Sequence, residues 1–160
     1  MAVDMFLKLG DIKGESIDDK HKDEIEILSF SFGVSQTLVT GGGGGGGTGK
    51  VQMQDFRVVK NVDTASPDLF DAVCSGKHIQ EGVFTVRRAG HKESGDFYKV
   101  SFENVLISSV GPGGNANESV PMEQLSLNFA SVKIEVRRQS TRGTLGPWET
   151  TQCNLAGDKT

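Results

Sequence analysis

Along the chain, apolar residues recur with a period of two far more often than with a helical period. Met5, Leu7 and Leu9 alternate with Phe6 and Lys8, which predicts a strand over residues 3–9, ended by Gly10-Asp11. Ile25 and Ile27 share one phase, while Phe30 and Phe32 share the other. The slip at Leu28 predicts a bulge or a switch of face within a strand over 24–32. Further strands are predicted over 50–62, 82–89, 96–110, 120–138 and 148–153, with a second phase slip between Phe129 and Val132. One stretch favours a helix. Ser66-Pro67-Asp68-Leu69 offers a Ser N-cap, Pro at the first helical position and an acid in the first turn. Leu69, Phe70, Val73 and Cys74 then fall on one helical face, and Gly76 ends it. Residues 13–22 read as a polar loop too charged to pack, and Gly111–Asn115 as a turn. The result is a mainly-β chain forming a single domain over 1–160. Short antiparallel strands make a β-barrel or sandwich, with one short flanking α-helix at 66–76 and a long Gly-rich loop at 39–50.

That loop departs furthest from the pattern. Gly41, Gly42, Gly43, Gly44, Gly45, Gly46 and Gly47 stand in a row before Thr48-Gly49-Lys50. Glycine loses more backbone entropy on folding than any other residue, so the run predicts a flexible connection rather than a helix or strand interior. A ten-residue segment of this kind spans roughly 17 Å, more than a hairpin turn needs. Gly44 to Lys50 also matches the first positions of a phosphate-binding P-loop. The next position needs Ser or Thr for magnesium, and Val51 stands there. A helix should follow the lysine, whereas Val51-Gln52-Met53-Gln54 alternates like a strand. The flexible loop is the better reading.

Composition narrows the function classes. The chain has 160 residues and a formal net charge of −4, which speaks against nucleic acid as a partner. Arg87-Arg88 and Arg137-Arg138 are only adjacent pairs, expected as solvated or interface charges. No stretch approaches the ~18 apolar residues of a membrane span. The first residues lack the positive and apolar regions of a signal peptide, so synthesis in the cytoplasm without a cleaved signal is expected. Cys74 and Cys153 do not make a disulfide framework. His21, His78 and His91 are scattered without metal-ligand spacing. Glu24 and Glu26 share a strand face, as exposed carboxylates routinely do. Ser31 has no Gly-x-Ser-x-Gly setting. No catalytic, cofactor or metal residues are expected, and the protein reads as a non-enzyme. The alternative is a β-barrel module binding a small ligand, although one Trp and one Tyr are few aromatics for such a site.

The opening, Met1-Ala2-Val3-Asp4-Met5-Phe6-Leu7-Lys8-Leu9-Gly10-Asp11-Ile12-Lys13-Gly14-Glu15-Ser16, resembles the haemolysin-coregulated protein (Hcp) family of type VI secretion systems. So do Phe30-Ser31-Phe32-Gly33 with Ser35-Gln36, the Gly-rich loop into Gly49-Lys50-Val51, Ser66-Pro67-Asp68-Leu69 and Gly76-Lys77-His78. Near the C-terminus, Gly146-Pro147-Trp148-Glu149 departs from the Gly-Trp-Asn or Gly-Trp-Asp expected there. The resemblance implies a tube protein whose homohexameric rings stack inside a contractile sheath. It further implies a valine–glycine repeat spike protein at the tip, small effector proteins in the lumen, and secretion from the cell. Phe30 and Phe32 belong in the core by alternation, so Ser29 and Ser31 face the other way. In a ring of such domains that face is expected as the lumen wall, which the matching family stretch supports at Ser31, and Gly41 to Gly47 is expected as a ring-stacking loop.

Overall fold

One strand organises the molecule, which is described here by a computed structural model covering residues 2–37, 49–89, 95–140 and 144–155. The strands are β1 (Val3–Leu9), β2 (Ile25–Glu26), β3 (Ser29–Ser31), β4 (Val34–Gln36), β5 (Val51–Met53), β6 (Phe56–Asn61), β7 (His78–Arg88), β8 (Asp96–Gly113), β9 (Met122–Asn128), β10 (Ser131–Gln139) and β11 (Leu145–Asn154). Among the described residues one helix, α1 (Ser66–Ser75), lies between β6 and β7. β8 is 18 residues long. Its first half lies between β7 and β10, and its second half pairs with β9. Asn104, at φ 56°, sits where those partners change, and a register shift follows between Ile107 and Ser109. A left-handed residue and a bulge are the devices that bend a strand from one layer into the next.

The sheet runs β2-β1-β7-β8-β9-β6-β3, with β10 on β8 and β11 on β10. Its two ends are successive pieces of one segment. β2 pairs with β1, the Ile27 N–H donates to the Met5 carbonyl, and the Leu28 N–H donates to the Val59 carbonyl before β3 pairs with β6. The slip at Leu28 is this crossing from one edge to the other. The second slip is likewise a change of partner, where β9 ends and β10 moves over to β8. The sheet curls into a sandwich-like body without closing as a barrel.

Between the layers lies the core, including Leu7, Leu9, Phe56, Val58, Phe84, Val100, Phe102, Leu125 and Leu127. Each is the inward member of an alternating strand. Phe56 meets the rings of Phe84 and Phe102 at 5.1 Å and 4.8 Å. Tilted aromatic pairs at this spacing stabilise beyond the area they bury.

Four expectations need correction. Ser66 is not the N-cap: Ala65 is, without a side-chain cap, and Ser66 is the first helical residue. Its hydroxyl donates instead to Glu123, at 2.6 Å. Of the expected helical face, Leu69 is buried and Val73 packs on the core, while Cys74 is exposed and Phe70 is 57% exposed. Ala65 and Ala72 complete the buried side beside Leu69. Gly111 to Gly113 continue β8 opposite Met122 to Gln124, so the turn falls later, where the Glu118 N–H donates to the Asn115 carbonyl. The loop of residues 13–22 does pack, for reasons given below. Gly76 does end α1, in the left-handed conformation at φ 64°.

Candidate interaction surface

The outer face of the β3-β6-β9 layer is built by register. Ser29 stands opposite Val59, and Val59 opposite Gln124. Ser31 stands opposite Arg57, and Arg57 opposite Ser126. Directly opposed residues in a sheet point to the same side. Both serines are exposed, so alternation places them on the outer face as expected. Phe30 turns the other way, within 4.6 Å of the Phe84 ring and 5.9 Å of Phe56, although it remains 37% exposed at the sheet edge. Phe32 packs against the core. The wall therefore presents hydroxyls and an amide around one guanidinium. Beside it, Asp55 accepts hydrogen bonds from Ser108 at 2.8 Å and Asn128 at 3.2 Å. Sequence reading finds the serines but misses Arg57, Gln124 and Ser126, because only the register brings them together.

Next to this wall is a recess of about 350 Å³ lined by Val59, Gly111, Asn115, Glu118, Met122 and Gln124 among others. It has no aromatic lining, which the small-ligand reading would require. Gly41 to Gly47 lie outside the described residues. Their flanks do not: β4 and β5 form a two-stranded ribbon with Gln36 opposite Val51. Val34 and Val51 are exposed on it.

The second built cluster lies on the loop of residues 13–24. His21 stacks on Phe6 with ring centroids 4.5 Å apart and planes 7° apart. Its Nδ1 bonds Glu24 at 2.8 Å and its Nε2 bonds Asp96 at 2.9 Å. Burial works against charge on the imidazole, but the Asp96 and Glu24 hydrogen bonds outweigh it and push its pKa up to about 9. For Asp96, burial likewise opposes the charge, and the His21 hydrogen bond outweighs it and lowers the pKa. Arg87 forks onto Asp18, whose pKa is lowered first by that hydrogen bond. Arg87 also lies over the Phe6 ring at 5.1 Å, so of the solvated and interface roles expected for it the solvated one does not hold. Nor does it hold for Arg137, which lies over Trp148 at 4.4 Å and donates to the Asp96 carbonyl at 2.6 Å. Glu24 is half-buried and bonded to His21, while Glu26 is exposed. His91 lies outside the described residues. Among those described, no group of three His, Cys, Asp or Glu could hold a metal, and no helix is long and apolar enough to cross a membrane.

The third cluster is internal. Lys60 is fully buried and pairs with Glu123, with Asp63 at 2.8 Å and with Ser66 at 3.3 Å. Phe56, Val58 and Lys60 share the inward phase of β6, and Lys60 faces Glu123 across β9. This ion pair fixes the start of α1 to the sheet.

Fold and surface together define a mainly antiparallel β-domain with a polar outer wall and one short helix among the described residues. A family model described as "Type VI secretion system effector, Hcp" matches residues 6–136. The protein hcp1 of Pseudomonas aeruginosa is 43% identical over 143 residues, covering 89% of this chain and 88% of its own length. A crystal structure of Hcp1 from Salmonella typhimurium superposes with a TM-score of 0.78 at 30% identity, covering 99% of both chains. A structure described as a type six secretion system protein gives 0.91 at 29% identity, again over 99% of both. The chain belongs to the Hcp family of type VI secretion systems.

Proposed function

We propose that the protein is the tube subunit of a type VI secretion system and has no enzymatic role. Six copies form a ring, rings stack into a tube inside a contractile sheath, and a valine–glycine repeat spike protein caps the tip. Made in the cytoplasm, the subunit is secreted with the spike and carries small effector proteins in its lumen. Family membership over residues 6–136 is the observation that carries this reading. A heterologous interface that closes yields such a ring and leaves its two faces free to stack.

The lumen wall is the face bearing Ser29 and Ser31. Its hydroxyls offer hydrogen bonds without a deep apolar grip, which suits a surface that holds varied cargo and releases it. Negative-stain microscopy of the purified protein tests the ring: annular particles with a central hole are expected, and small featureless particles contradict it. Ser31→Gln tests the wall. It adds bulk without charge and is expected to keep the ring while lowering co-secretion of a lumen-borne effector. A broken ring, or unchanged effector binding, contradicts the assignment.

A further inference from the structure

Arg57 is the one charged residue in the two cross-strand rows Ser29–Val59–Gln124 and Ser31–Arg57–Ser126. Its side chain is exposed, and it makes no hydrogen bond or ion pair with any described residue. Asp55, the nearest acid in sequence, is hydrogen-bonded by Ser108 and Asn128 and forms no ion pair with Arg57. Two other arginines of the same sheet, Arg87 and Arg137, behave differently. Arg87 forks onto Asp18, and Arg137 is fixed against Trp148 and the Asp96 carbonyl. A guanidinium with no side-chain partner among the described residues, set between two hydroxyls, is complementary to a carboxylate. It can take one in two parallel N–H···O bonds, while the hydroxyls of Ser31 and Ser126 supply flanking donors.

We propose that Arg57 is a specificity-determining contact for cargo, selecting a protein that presents an acidic, carboxylate-bearing segment to this wall. The inference rests on reading that face as the cargo wall. It does not follow from overall charge, because a chain of net charge −4 repels acidic partners at long range. The attraction is local and belongs to one residue in each copy, repeated around a ring.

The test is fluorescence anisotropy with a short labelled glutamate–serine peptide and a lysine–serine peptide of equal length, each titrated with the full-length protein at low ionic strength. The acidic peptide is expected to bind. Arg57→Gln should weaken it about tenfold, the loss expected for one charge-assisted contact. Arg57→Lys should fall between the two, since it keeps the charge and loses the fork. Binding of the basic peptide should not weaken in Arg57→Gln. Equal affinity of wild type and Arg57→Gln for the acidic peptide, or no binding to wild type, overturns the proposal. Light scattering on the same samples separates the two claims. Rings with Arg57-independent binding sink the contact and leave the ring. Monomers with Arg57-dependent binding sink the ring and leave the contact.

Discussion

Two buried ionic clusters set the residue-scale behaviour of this molecule. His21 carries a pKa raised from 6.5 to about 9. A group held protonated in this way stabilises the fold fully below its unfolded pKa, and the contribution fades as pH rises through the folded one. The window of loss is therefore pH 6.5 to 9. The lowered pKa of Asp96 acts in the opposite sense, with its contribution present above 3.8 and lost as pH falls through the folded value. The His21 shift corresponds to on the order of 3 kcal/mol, or about 10 °C in melting temperature for a chain of this size. Thermal melts should show that decline between pH 6.5 and 9, with His21→Gln nearly flat across the same window. A wild-type curve parallel to the variant's contradicts the assignment.

Lys60 makes the complementary case. Lys60→Met leaves Asp63 and Glu123 buried without their cation and should cost about 3–5 kcal/mol in urea unfolding. Adding Glu123→Leu should recover much of that loss, and no recovery would mean that the pair is not the coupled unit. Neither cluster was legible in the sequence. Residues 13–22 look solvated because composition does not reveal that His21 lands on Phe6 or Asp18 on Arg87. Lys60 sits in the inward phase of its strand, a signal that was present, but a lysine there reads as an interruption until Glu123 is known to face it.

At the scale of elements, phase carried most of the information. Both slips in hydrophobic period, at Leu28 and between Phe129 and Val132, mark places where the chain leaves one partner strand for another. The sequence could not say which partner, because pairing across β8 joins segments far apart in the chain. Nor could it set the face of α1, where Ala65 and Ala72 took positions that an apolar count assigns to Phe70 and Cys74. The loop of residues 13–24 also depends on a close backbone approach. A Cβ at Gly14 would lie 2.5 Å from the Glu24 carbonyl oxygen and 2.7 Å from the Ile25 Cα. Gly14→Ala should therefore lift that loop, lower the melting temperature by several degrees, and speed amide exchange at the Ser16 and Asp23 N–H groups, which bond within the loop. Unchanged exchange would show that the contact relaxes without cost. The glycine run between β4 and β5 enters as a proposal. If it docks on the next ring, replacing it by a tight Asn-Gly turn should spare fold and ring and abolish stacking and secretion. Ordering such a loop costs roughly 1–2 kcal/mol per residue fixed, so stacking without a sheath should be weak. Normal secretion of the shortened variant would remove its assembly role.

On the scale of the whole molecule, the body is a curled antiparallel sandwich whose polar outer wall and exposed apolar residues, Ile17, Val34 and Phe70 most of all, face outward in a single copy. The family was legible from the opening sixteen residues and the motifs after them. The composition of the wall became visible only when strand register placed Arg57 and Ser126 beside Ser31. The proposed tube subunit stands or falls on its state of association. Size exclusion coupled to light scattering at micromolar concentration measures that directly. The expected mass is six times 17.1 kDa, about 103 kDa. A stable peak at 17.1 kDa would contradict the account.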